Sequence, residues 1–245
     1  MIQAQRPPIY HLLIAWVLLG PLLFFVARGA FSFDRAQYFN SQAADEGAVN
    51  ESASDTTYLR LERFAMYALA MGAVATAFRN SLRALRRHAA VIALPILAII
   101  SALWSQDSAK TFVLGTLTLC LTLFAVYLTQ RFQGERMVEL MLFVGTAAAL
   151  LSYLLIVFVP SAGVREFDSA GAWQGIFVHK NHCGMIMTSL FAAGLYVSPK
   201  SRLQRIGVGV YMLAVATLII MTQSRTAWLL LAALASYYAF VGLYS

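Results

Sequence analysis

Charge is what this sequence has least of. Only 12% of its residues are Asp, Glu, Lys or Arg, against about 25% in soluble domains, while 60% are hydrophobic. So few solvated side chains exclude an ordinary water-soluble domain and point to a chain with several membrane spans. Cysteine is also scarce: Cys120 and Cys183 lie far apart, in or beside apolar segments, and cannot form a disulfide framework. There is no Gly-rich phosphate loop, no HExxH and no GxSxG, so nothing suggests nucleotide or hydrolytic chemistry. No internal repeat is visible.

Long apolar runs are there in number. A hydrocarbon core about 30 Å thick takes about 20 apolar residues per helix. By that measure the spans fall at residues 9–27, 59–78, 89–104, 111–129, 138–159, 183–197, 206–221 and 227–243. The third and sixth are short, and the third carries Pro95. The first run exceeds the roughly 7–15 residues of a signal-peptide core, so it reads as a retained helix, kinked at Gly20-Pro21. The fold expected is all-α: a polytopic transmembrane helical bundle of about eight spans, forming one domain over 1–245.

The formal charge of +7 is distributed by side. One set of helix ends carries Arg6, then Arg79, Arg83, Arg86 and Arg87, then Arg131 and Arg136, then Lys200, Arg202 and Arg205, with few acids beyond Glu135 and Glu139. The opposite ends hold most of the Asp and Glu: Asp34, Asp45, Glu46, Glu51, Asp55, Asp107, Glu166 and Asp168. This is the positive-inside pattern, and it explains the basic stretch "RNSLRALRRH" better than nucleic-acid binding does. The N-terminus is then cytoplasmic, and residues 29–58, 105–110, 160–182 and the turn at Ser224-Arg225 face outward. The loop 29–58, polar and rich in Ala, Ser and acids, is expected to be flexible. Its Asn50-Glu51-Ser52 matches the glycosylation triplet only weakly.

The outward side holds the chemistry. In "ALWSQDSAKTF", Trp104 suits the interfacial belt, and Asp107 and Lys110 suit a solvated turn. The loop "PSAGVREFDSAGAWQGIFVHKNHCG" can turn sharply at its glycines, while Trp173, Ile176 and Phe177 can dip back toward the membrane where protein buries them. If its end is helical, His179, His182 and Cys183 share a face, but three ligands fall short of the four that structural zinc takes. Lys180 reads either as an interfacial lysine reaching water or as a seat for an anion. Asn181 is an acceptable N-cap, and a helix beginning after it would add N–H donors and a positive dipole end. In "TQSRTAW", Arg225 stands between two apolar runs; it is either a lone interfacial residue or the partner of an anion, for which its planar fork best fits a phosphate.

Three segments in order carry a resemblance. "SALWSQDSAKT" is similar to W-S-x-D-P, "WQGIFVHKNHCG" to G-I-F-x-H-K-N-x-L-G, and "QSRTAW" to S-R-T-A. Together, over roughly residues 95–235, they resemble the O-antigen ligase/polymerase-like superfamily, near its exopolysaccharide-production branch. Two positions depart from the pattern: Ser108 replaces a common proline and Cys183 an apolar residue.

The resemblance implies a multi-pass bacterial inner-membrane glycosyltransferase active at the periplasmic face, with 160–182 as its motif loop. It implies an undecaprenyl-pyrophosphate-linked glycan donor and a glycan or lipid A–core acceptor, without metal or other cofactor. Lys180 and Arg225, with Asn181 and His179, would hold the pyrophosphate. The base that activates the acceptor is a histidine in a late periplasmic loop of that family. No such loop follows before Ser245, so the chain is expected to be the N-terminal portion of a longer enzyme, with the base beyond residue 245. Two other readings stay open: a non-catalytic transporter of lipid-linked saccharide, and an inactive membrane fragment.

Overall fold

A computed structural model describes residues 8–27, 53–79, 81, 83, 89–164, 171–177 and 179–244. Eight helices longer than two turns stand among them: α1 (Pro8–Ala27), α2 (Ala53–Thr76), α3 (Ala90–Ile100), α4 (Ser108–Arg131), α5 (Glu135–Phe158), α6 (Lys180–Leu195), α7 (Arg202–Met221) and α8 (Arg225–Tyr244). A 3-10 turn, Ser101–Leu103, prolongs α3, and a single helical turn, Pro160–Gly163, follows α5. Among the described residues there is no strand, only one isolated bridge between Val164 and Trp173.

Each of the eight apolar runs coincides with a helix, but the ends differ. Residues 53–58, expected in the first outer loop, belong to α2, and Lys180 to His182, expected in the motif loop, belong to α6. Apolarity marks the part of a helix that would lie in hydrocarbon, whereas backbone hydrogen bonding continues into polar residues at its ends. The remainder of the first loop, including the Asn50 triplet, lies outside the described residues.

Three helices, Ser108–Arg131, Glu135–Phe158 and Arg202–Met221, are long and apolar enough to cross a membrane. Their outer faces carry Val113, Leu114, Leu154, Val157, Val210 and Leu213 in the open. Apolar surface on that scale matches lipid rather than water, and the chain is a helical membrane protein.

The chain divides into two compact units. One comprises Met1–Pro21 and Arg60–Met137, the other Leu22–Leu59 and Val138–Ser245. The division crosses α1 at Pro21, the place where a kink was expected; the helix itself continues through it. In the first unit α3 and α4 form a hairpin. Asp107 caps α4 by accepting the Lys110 N–H at 2.9 Å, and the hydroxyls of Ser105 and Thr111 meet at 2.6 Å. Asp107 and Lys110 are exposed and Trp104 is two-thirds exposed, as a solvated interfacial turn requires. The backbones of α3 and α4 touch at Gly115, where a Cβ would stand 2.9 Å from the Ile99 nitrogen.

In the second unit α5 supplies a stripe of small buried residues, Gly145, Ala148, Ala149 and Ser152, at helical spacing. Leu190 of α6 and Tyr211 of α7 close on Gly145, and the Tyr211 hydroxyl donates to the Leu190 carbonyl at 3.1 Å. Tyr153 donates to the Ala214 carbonyl at 2.8 Å. In a lipid-facing bundle, where apolar burial discriminates little between lipid and protein, such close contacts and buried hydrogen bonds set which helices pair.

Candidate anion site at two helix starts

The motif loop is built into the second unit, not draped over it. The turn after α5 leaves the Gly163 carbonyl accepting from both Gln174 N–H and Gly175 N–H, at 2.9 and 3.0 Å. The Trp173 N–H donates to the Met221 carbonyl at the end of α7, and its ring stands edge-on to Tyr153 at 5.9 Å. Gly175 has φ +56°, a left-handed conformation, and any Cβ there would run into Ser152 of α5. The Ser152 hydroxyl accepts from the Ile176 N–H at 3.3 Å. Ala172, Gln174, Ile176 and Phe177 are all buried. Residues 172–177 are therefore largely interior, and their backbone N–H groups find partners in α5, α7 and the loop itself.

That anchoring delivers the chain to the start of α6. His179, not Asn181, is the N-cap: its backbone is extended and its Nδ1 accepts the Asn181 N–H at 3.1 Å. The reason is register. Helical dihedrals already hold at Lys180, so Asn181 stands in the first turn and its own N–H is one of those needing a cap. Accepting that bond makes Nδ1 a lone-pair nitrogen and places the ring proton of the neutral imidazole on Nε2. His179 and Lys180 are half-buried and Asn181 is exposed. His182 packs edge-on against Phe177 at 5.7 Å, and Cys183 is fully buried. Among the described residues no three His, Cys, Asp or Glu side chains are grouped to hold a metal ion.

The start of α8 is built by a second cap. Thr222 closes α7 by donating its hydroxyl to the Ile219 carbonyl at 2.7 Å, and Gln223 then takes φ +51°. A left-handed residue after a helix end reverses the chain in one step. Ser224, fully buried, follows as the cap of α8, its hydroxyl accepting from the Ala227 N–H at 3.3 Å. Arg225 is the first helical residue and is exposed. We expect Ser224→Ala to lower unfolding stability by about 1 kcal/mol, the usual worth of such a cap; thermal unfolding in detergent would measure it.

The two helix starts meet. Gly184, one turn into α6, faces the turn into α8: a Cβ on it would lie 2.7 Å from Ala227 Cβ, 3.0 Å from Thr222 Oγ1 and 3.1 Å from Ser224 Cβ. The small pair Gly184 and Ala227 thus allows the first turns of α6 and α8 to pack directly. Lys180 heads one helix and Arg225 the other. Each helix start carries about half a positive charge from its unpaired N–H groups. Acidic residues normally occupy such positions, yet neither first turn contains one. Two cations set on two positive helix ends run against helix electrostatics.

Several supporting residues carry little sequence signal: Ser152, Gln174, Thr222 and Ser224 are buried polar side chains in or beside apolar runs. Gln174 donates its amide to the Ala162 carbonyl at 3.1 Å, while its Oε1 has no hydrogen-bond partner among the described residues. Only its place inside the conspicuous "WQGIF" marked it. No protein-family model matches this chain, and neither the curated proteins nor the solved structures contain a match to it.

Proposed function

We propose that this chain carries the donor-binding site of a membrane glycan ligase or polymerase of the O-antigen ligase/polymerase-like superfamily. It takes saccharide from an undecaprenyl-pyrophosphate carrier in O-antigen or exopolysaccharide synthesis. In this reading all eight helices cross the bacterial inner membrane, the N-terminus is cytoplasmic, and the starts of α6 and α8 face the periplasm. Lys180 and Arg225 hold the pyrophosphate, with Asn181 and His179 beside them.

The observation that carries the reading is the packing of the two helix starts through Gly184 and Ala227. It joins the segments "HKN" and "SRTA", which are more than forty positions apart in the sequence. Pyrophosphate is also the leaving group of the transfer. Cations and N–H dipoles fixed before reaction would therefore stabilise the charge that develops on it. The acceptor is a glycan or the lipid A core. The test is loss of polysaccharide transfer and of undecaprenyl pyrophosphate binding in Arg225→Ala and Lys180→Ala, with membrane insertion retained. Wild-type levels of both in both variants would refute the assignment.

A further inference from the structure

A cluster of arginines gathers at one end of the first unit. α3 and α4 run antiparallel from the turn at Trp104 to Asp107, so the start of α3 and the end of α4 point the same way. Arg131 lies in the last turn of α4, and the short turn after it leads to Arg136 in the first turn of α5. Beyond the end of α2, Arg79 and Arg83 are exposed, a short covalent reach from Ala89 before α3. Topology therefore brings four arginines from three segments to one end, with Glu135 and Glu139 as the nearby acids in sequence.

Helix electrostatics explain only part of this. A cation in the last turn of α4 is favourable, which accounts for Arg131. Arg136 is in the first turn of α5, where a cation is unfavourable, and Arg79 and Arg83 lie past the end of α2. A second observation points to a ligand. The Ser81 hydroxyl, between Arg79 and Arg83 in sequence, belongs to a residue only 3% exposed and has no hydrogen-bond partner among the described residues. A buried hydroxyl without a partner is unfavourable, and a phosphate oxygen would accept from it. Next to this end, α3 leaves Val91 and Leu94 half to three-quarters exposed, an apolar wall running away from the arginines.

A cationic end continuing into an exposed apolar helix face matches one amphiphile: a lipid with an anionic phosphate headgroup and acyl chains. We propose that the end of this unit bearing Arg79, Ser81, Arg83, Arg131 and Arg136 is a binding site for anionic phospholipid. The arginines fork onto the phosphate, Ser81 donates to one of its oxygens, and the acyl chains lie along α3. This site is independent of the proposed saccharide donor site and uses none of its residues.

The probe is phosphatidylglycerol mixed with an equal amount of phosphatidylcholine in nanodiscs, with lipid retained on the purified chain counted by native mass spectrometry. The wild type should retain phosphatidylglycerol selectively at low salt and lose that selectivity at about 1 M, where the Debye length is about 3 Å. Arg79→Gln with Arg83→Gln, and separately Arg136→Gln, should each reduce it, by about fivefold per arginine. All three residues are exposed, and the salt series on the wild type needs no variant at all. Equal retention of the two lipids by the wild type would overturn the proposal. So would unchanged selectivity in both variants, or displacement by inorganic phosphate at concentrations equal to those of the lipid.

Discussion

Arg225→Ala is expected to lower polysaccharide transfer by about 100- to 1,000-fold, the effect typical of removing one preorganised charge-stabilising group. The same substitution should leave the folding midpoint unchanged or slightly higher. Arg225 is exposed, and deleting it takes a cation away from the positive end of α8. Those two outcomes separate a ligand-binding arginine from a structural one, since a structural arginine would lose stability and activity together. Arg225→Lys should recover part of the transfer, because charge is kept while the planar two-point contact is lost. Lys180→Ala should act in the same direction, and the double variant should lose less than the product of the singles if both cations hold one pyrophosphate. Transfer rates in cells, beside binding of undecaprenyl pyrophosphate by the purified variants, read all of these. Full transfer by both single variants would leave the donor-site assignment without support.

The second large effect is expected at Gly175. Gly175→Ala should destabilise the second unit by about 2–4 kcal/mol, combining left-handed backbone strain with an overpacked contact. Gly171 provides the control, because it too has positive φ, +84°, but a Cβ there would meet nothing within 4 Å among the described residues. Gly171→Ala should therefore show the strain alone, about 1–2 kcal/mol. Thermal unfolding of both variants in one detergent isolates the collision with Ser152 as their difference. Placing Gly175→Ala in a Ser152→Gly background should return part of that difference, because the overlapping atoms belong to the serine side chain. Equal midpoints for the two alanine variants would show that the Gly175–Ser152 contact does not limit stability. The consequence for function is direct: the loop that Gly175 lets onto α5 is the loop that sets where α6 begins.

Much of this architecture was legible from composition and pattern. Twenty-residue apolar runs locate helices because a hydrocarbon layer admits no other open backbone, and each of the eight runs has its helix. Lys180 and Arg225 stood out because cations beside hydrocarbon are costly and need a reason. Helix starts were not legible. Hydropathy is blind to the polar first turn, so α6 begins at Lys180 rather than at Cys183, and α2 at Ala53 rather than at 59. The cap of α6 was misread for the same reason: whether His179 or Asn181 caps depends on which backbone leaves helical dihedrals, and both side chains can accept the bond.

By itself the sequence determined an all-helical membrane chain, the order of its helices, and that Lys180 and Arg225 stand beside apolar runs. Those properties are local, governed by transfer of side chains and backbone between water and lipid. Only the tertiary structure decided that the starts of α6 and α8 touch, because that contact depends on Gly184 and Ala227 being small at the one place where two backbones meet. It also decided that residues 172–177 are interior, held by Ser152, Gly163 and Met221 from three other segments. Close approach and long-range hydrogen bonding have no period along a chain, so they become visible only when the helices are set side by side.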